Sequence, residues 1–186
     1  MRIGVLALQG AFEAHAKVLR ALGHDTVELR NPGQLDGLEG VVLPGGESST
    51  QLKLLESTGL ERPLDAFVRA GHPLLATCAG LILAARHVTQ PVQSSFGWLD
   101  VSVARNAWGA QVYSFEAVAD ENRPPFAALP LIFIRAPRII EVGKGVEVLA
   151  RFRGEPVMLR QGRVLAASFH PELSGDDRVH RAVFGP

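Results

Sequence analysis

Cysteine is nearly absent: Cys78 is the one thiol in 186 residues, so no internal disulfide can form. A disulfide-stapled secreted scaffold is excluded, and a single free thiol agrees with a reducing cytoplasm, where the chain is expected to reside. Net charge is also absent, because 19 Lys and Arg balance 19 Asp and Glu, and the cations are scattered rather than gathered into a stripe. Nucleic acid is therefore not an expected partner, since phosphate recognition needs clustered positive charge. No apolar run is long enough to span a bilayer. Residues 1–8 are basic then apolar, far short of the roughly 20 residues a spanning helix needs, and read as a first strand with no export signal. A membrane role is not expected. His15, His24, His72, His87, His170 and His180 are the six histidines, and neither among themselves nor with Cys78 do they show metal-ligand spacing. Metal and other cofactors are accordingly not expected. Internal repeats and low-complexity tracts are missing as well.

With 47% hydrophobic and 20% charged residues, the composition is that of a globular protein with a well-formed core. Residues 1–186 are expected to form a single domain. Apolar runs at 3–8, 41–43 and 73–77 and the segment Thr26-Val27-Glu28-Leu29 read as strands, with helical periodicity between them. Ala11, His15, Val18 and Leu22 form one helical stripe closed by Gly23; Leu60, Leu64, Phe67 and Val68 form another closed by Gly71. This βαβ rhythm predicts an α/β fold with an open, mostly parallel sheet covered by helices on both faces. The C-terminal half changes character. Short strands at 99–103, 112–118, 131–134, 145–152, 157–160 and 164–169 predict antiparallel pairing there. Arg153-Gly154 and Gln161-Gly162 serve as turn centres, and a last helix covers about 177–184.

Three local patterns carry chemistry. The first is Pro73 to Ala85, an apolar strand that runs into Cys78 and then into a helix-like segment. A nucleophile on such a strand-to-helix elbow needs small residues two positions before and after it, and Ala76 and Gly80 fill those positions. The N-terminus of the following helix, at Ala79, favours a thiolate and offers a free backbone N–H to an oxyanion. Taken alone, Cys78 also fits a buried structural thiol. The second pattern is Pro44-Gly45-Gly46-Glu47-Ser48-Ser49-Thr50, where tandem glycines after a strand let backbone N–H groups approach a ligand. The same stretch fits a tight turn with a Ser or Thr helix cap. The third is Phe169-His170-Pro171-Glu172. In an extended segment residues two apart share a face, so Glu172 can orient His170 as a general base. Taken alone, this motif is read more simply as a surface His-Glu pair at a strand end. Together the three supply the parts for acyl transfer through a thioester, and parallel strands bring the first two to one rim.

The motifs Gly4 to Gly10, Leu43 to Thr50, Thr77 to Ile82, Ile132 to Pro137 and Phe169 to Leu173 span nearly the whole chain. On them it resembles the triad-type, class I glutamine amidotransferases with their flavodoxin-like sheet, and within these the glutaminase-subunit family of pyridoxal 5'-phosphate synthase. It departs at Ala76, where that family usually has glycine. The resemblance implies L-glutamine as substrate, with Cys78 as nucleophile, His170 as base and Glu172 orienting it. It implies an oxyanion hole from Gly45, Gly46 and Ala79, and a glutamine pocket lined by Gly46, Glu47, Ser48, Arg105, Ile134 and Arg135. It further implies a barrel-type synthase subunit as partner, met through Gln9 and Gly10. An amidotransferase subunit serving histidine or anthranilate synthesis, a non-catalytic module on the same fold, and a small cysteine hydrolase are the competing readings.

Overall fold

The computed structural model describes residues 1–105 and 114–185. Its N-terminal half alternates strands with helices: β1 (Arg2–Leu6), α1 (Phe12–Ala21), β2 (Asp25–Leu29), β3 (Gly40–Leu43), α2 (Ser48–Ser57), α3 (Glu61–Arg69), β4 (Leu74–Thr77) and α4 (Ala79–Ala84). The second half is strand-rich, with β5 (Ala85–Thr89), β6 (Leu99–Ala104), β7 (Ser114–Val118), β8 (Glu121–Asn122), β9 (Pro130–Ile134), β10 (Arg138–Val142), β11 (Glu147–Phe152), β12 (Glu155–Gln161), β13 (Val164–Ala167) and the closing α5 (Arg178–Phe184). No described helix is long and apolar enough to cross a membrane.

The main sheet has the order β2-β1-β3-β4-β13-β12-β11-β8. From β2 to β13 every pairing is parallel, and beyond β13 every pairing is antiparallel. The parallel part has the order of a flavodoxin-like doubly wound sheet, with a last strand drawn from the C-terminal end of the chain. Two smaller sheets, β10-β6-β5 and β7-β9, lie beside it.

The continuous apolar runs follow from burial on both faces. Along β3, β4 and β13 the side chains alternate between two cores. Val41, Leu43, Leu74, Ala76, Val164 and Ala166 join Leu55, Leu64 and Val68 of α2 and α3 on one side. Val42, Leu75, Leu165 and Ala167 join Ala16 and Leu19 of α1 and Val179 and Phe184 of α5 on the other.

Several boundaries differ from the sequence reading. β1 ends at Leu6 rather than residue 8, because Ala7 makes its last sheet bond, to Leu29 O at 3.0 Å, before the chain turns onto the rim. On α1 the buried residues are His15, Ala16 and Leu19, a stripe rotated from the one expected through Val18 and Leu22, which are only half-buried. β13 stops at Ala167 rather than 169, since His170 N–H donates instead to Ile132 O on β9 at 2.8 Å. Gln161 is paired with Val164, so the β12–β13 turn is centred on Gly162 and Arg163. Of the strand expected at 112–118, Val112 and Tyr113 lie outside the described residues, and the remainder is β7.

Candidate active site

Cys78 sits between β4 and α4 with φ 49° and ψ −103°, a left-handed conformation rare for a residue with a side chain. Pairing on one side and helix on the other hold it there: Cys78 N–H donates to Ala167 O at 2.9 Å, and Ile82 N–H donates to Cys78 O at 3.3 Å. The sharp turn brings α4 against β3. A methyl group on Gly80 would lie 2.2 Å from Leu43 O, so glycine is required at that position. Ala76, in contrast, points its methyl into the apolar core between Leu43 and Ala166, and the elbow forms without a glycine there. Gly80→Ala is expected to cost about 3 kcal/mol and lower Tm by roughly 10 °C in a thermal melt, because the obstructing atom is backbone and cannot rotate away. Ala76→Gly should leave the elbow intact.

The Gly45-Gly46 turn follows β3 directly beside this elbow. A Cβ on Gly45 would lie 2.3 Å from His170 Cε1 and 3.2 Å from Cys78 Cβ, so the bare backbone at Gly45 is what lets these two groups converge. The Gln9-Gly10 loop holds the turn from the β1 side. Ala11 N–H donates to Gly45 O at 3.0 Å, Glu47 N–H donates to Gln9 Oε1 at 2.8 Å, and Gln51 Nε2 donates to Gln9 O at 3.1 Å and to Pro44 O at 3.2 Å. Gly10 has φ 101°, and a side chain on it would meet Gly45 O at 1.9 Å.

His170 and Glu172 are both buried, and the His170 Nδ1 to Glu172 Oε1 distance is 2.7 Å. The pairing matches the sequence reading, but its cause differs. Pro171–Leu173 is a 3-10 turn, not extended chain, and this turn swings the carboxylate under the imidazole. Burial works to lower the His170 pKa, but hydrogen bonds to Cys78 and Glu172 outweigh it and raise the value to about 10. Burial likewise works to raise the Glu172 carboxyl, and the neighbouring His15 and His170 overcome it, leaving the carboxyl below its ordinary value.

A cavity of about 250 Å³ opens onto these groups, lined by Gln9, Gly10, Gly45, Gly46, Glu47, Ser48, Cys78, Arg105, Ile134, Arg135 and His170 among others. Every residue singled out from the sequence therefore reaches its wall except Ala79, buried as the first residue of α4, and Glu172, buried behind His170. Arg105 follows β6 and Arg135 follows β9. Arg105 Nη2 donates to Glu47 Oε1 at 2.7 Å, while Glu47 Oε2 accepts from Thr50 N–H at 2.8 Å and from the Ser49 and Thr50 hydroxyls. Burial opposes ionisation of Glu47, yet these hydroxyl and backbone donors carry its pKa down to about 2. Ile134 O accepts from Cys78 Sγ–H at 3.8 Å. The Ser48 hydroxyl donates to Gln93 Oε1 at 3.0 Å, a partner missed in the sequence because Gln93 lies in an irregular loop. His15, Thr77 and His180 were missed too. The available signal was a histidine on the apolar stripe of α1.

Residues 5–184 match the SNO glutamine amidotransferase family. The chain belongs to that family. Among curated relatives, it is 54% identical to "Pyridoxal 5'-phosphate synthase subunit PdxT" of Koribacter versatilis, with 97% of this chain and 92% of the relative covered. It is 45% identical to the protein of the same name from Thermotoga neapolitana, covering 97% and 96% of the two chains. A crystal structure described as a glutamine amidotransferase superposes with a TM-score of 0.91 at 44% identity, covering 98% of this amidotransferase and 96% of that chain. PurLQS from Thermotoga maritima, at 14% identity and a TM-score of 0.70 over 96% of this chain and 91% of its own, shares the fold.

Proposed function

We propose that this pocket hydrolyses L-glutamine to L-glutamate and ammonia through a thioester on Cys78. The chain supplies that ammonia for pyridoxal 5'-phosphate synthesis as the glutaminase subunit of the synthase complex, the activity carried by its family and its near relatives. One observation supports the chemistry above the others: a strained cysteine elbow and a buried imidazole–carboxylate pair at 2.7 Å converge on one cavity.

With Nδ1 committed to Glu172, Nε2 is the ring atom left to face Cys78. Because His170 keeps its second proton up to a pH of about 10, Nε2 already holds the proton and Sγ attacks the side-chain amide carbon as the thiolate, pushing charge onto the amide oxygen. N–H groups of Ala79 and the Gly45-Gly46 turn receive that oxyanion, a contribution of roughly 3 kcal/mol per donor in acyl transfer. His170 returns the proton to the departing nitrogen, which leaves as ammonia. Water then gives up a proton to His170, attacks the γ-glutamyl thioester, and releases glutamate and the thiol.

Glutamine brings an ammonium and a carboxylate, and the cavity offers both counter-charges. Arg105 and Arg135 take the carboxylate, and Glu47 takes the ammonium. Without substrate Arg105 and Glu47 satisfy one another, so glutamine must separate that pair to seat itself. Arg105→Met is expected to raise KM for glutamine about tenfold or more while changing kcat less than about threefold in steady-state assays. Because Glu47 keeps its charge down to a pH of about 2, KM should stay flat as acid is added over the working range.

The acceptor of the ammonia is a barrel-type synthase subunit that docks at Gln9 and Gly10. Free ammonia takes up a proton and is lost, so coupling turnover to docking has a chemical purpose. The Gln9 side chain bonds directly to the glycine-rich loop, which gives a docked partner a route to the oxyanion donors. A cytoplasmic location belongs to the same proposal, since a catalytic thiol needs a reducing compartment. Ammonia release should be about a hundredfold faster with saturating synthase than without, and the complex should form pyridoxal 5'-phosphate from glutamine. Equal rates in the two conditions would rule out the coupling, and absence of glutaminase activity in both would overturn the function.

A further inference from the structure

Behind the triad lie three buried polar side chains that the glutaminase chemistry does not use. They are His15 on α1, Thr77 at the end of β4 and His180 on α5, all with 0% exposure. Polar groups held in a core call for a reason, since each needs partners to offset lost hydration. His15 Nδ1 lies 2.9 Å from His180 Nε2, and His15 Nε2 lies 3.0 Å from Thr77 Oγ1. The same Nε2 is 3.3 Å from Glu172 Oε2. While His170 occupies Glu172 Oε1, Oε2 is buried and receives no well-aligned hydrogen bond. The Glu172 carboxylate is therefore set between two imidazoles, with one facing each oxygen.

The protons of this chain can be assigned from geometry. His180 Nδ1 is buried with no hydrogen-bond partner, so a proton there would be an orphaned donor. The His180 proton belongs on Nε2 and is donated to His15 Nδ1. That leaves the His15 proton on Nε2, directed at Thr77 Oγ1 and set against the Glu172 carboxylate. The opposite pair of tautomers would point a nitrogen lone pair at a buried anion. Burial works to keep both rings neutral: it lowers the His15 pKa despite Glu172 nearby, and takes His180 to about 3. The charged groups felt by this pair are Glu172 and His170 in and before the turn after β13 and Asp177 at the start of α5.

We propose that His15, with its tautomer locked by His180, is a positioning residue for the glutaminase triad: its Nε2–H, donated to Thr77, sets its positive end 3.3 Å from Glu172 Oε2 and so favours the ionised carboxylate beneath His170. This rests on the function proposed above and extends the triad by two side chains that touch no reacting atom. Neutral N–H groups stabilise the carboxylate without adding a charge that would compete for it. The cost of losing them falls on turnover rather than on substrate binding.

The test compares His15→Leu, His15→Gln and His180→Leu in the complex with saturating synthase, following ammonia release against glutamine concentration and pH. His15→Leu is expected to lower kcat about tenfold or more with KM within about twofold. It should also move the acid limb of the kcat profile to higher pH, because Glu172 loses a group that favours its anion. His15→Gln, whose amide N–H reaches close to the Nε2 position, should recover at least about half of the lost activity on a logarithmic scale. His180→Leu frees the His15 tautomer, and should lower kcat several-fold with the same direction of pH shift. An active parent whose His15→Leu form keeps the parent kcat and acid limb overturns the positioning role alone. Equal loss in the Leu and Gln variants with an unmoved acid limb does the same, since that is what a packing role gives. If His15→Leu does not fold, His180→Leu decides by the same two readings. A parent that releases no ammonia overturns the glutaminase reading and this inference with it.

Discussion

Cys78→Ala is expected to lower glutamine turnover by about 10,000-fold or more while the protein stays folded and still binds glutamine. Cys78 is the only thiol in the chain, so no neighbouring group can take over the attack. The reading is ammonia release in the synthase complex, paired with glutamine binding by calorimetry. A variant that releases ammonia at the parent rate would remove Cys78 from the chemistry. Cys78→Gly adds a second result from the same position. At φ 49° a side chain is strained and glycine is not, so the glycine form should be as inactive as the alanine form yet more stable than it by about 1 kcal/mol. If alanine proves the more stable, the elbow carries no strain of the kind its dihedral angles imply.

Glu172→Gln is expected to reduce kcat by about 100-fold to 1,000-fold and to move its alkaline limb to lower pH. In the parent, His170 stays protonated to a pH of about 10 because Cys78 and Glu172 outweigh burial. An amide in place of the carboxylate removes one of those supports, burial gains ground, and the proton that must go to departing ammonia is lost at lower pH. The sign extends to stability. A histidine whose folded pKa is raised stabilises the native state fully below its unfolded value of 6.5, and loses that contribution as pH rises through about 10. Glu172, with a lowered pKa, contributes above its unfolded value of 4.5 and loses that contribution as acid protonates it. The stabilisation by this pair should therefore fade at both extremes, and denaturant melts of the Glu172→Gln variant should show a flatter dependence on pH. An unmoved alkaline limb would mean that Glu172 does not govern the His170 proton.

Features that depend on a few consecutive residues were legible in the sequence. Short apolar runs made β1, β3 and β4 readable, because strands covered on both faces bury nearly every side chain and so are mostly apolar. The Cys78 elbow was readable from small residues two positions to either side. The Gly45-Gly46 turn was readable from tandem glycines after a strand, and the His170-Glu172 pair from a spacing of two. Tertiary structure decided what these local signals could not contain. His170 and Glu172 meet through a 3-10 turn that opens on Pro171, anchored to β9 by the bond from His170 N–H to Ile132 O. Glu47 finds Arg105 58 positions along the chain, and His15 finds His180 165 positions along. Such contacts depend on which helix covers which face of the sheet and on how far each is rotated. The apolar stripe of α1 put His15 on the core face, but periodicity does not say that Thr77, Glu172 and His180 meet it there. The chemistry was therefore written locally, while the partners that tune it were settled by the packing of α1 and α5 on one face of the parallel sheet.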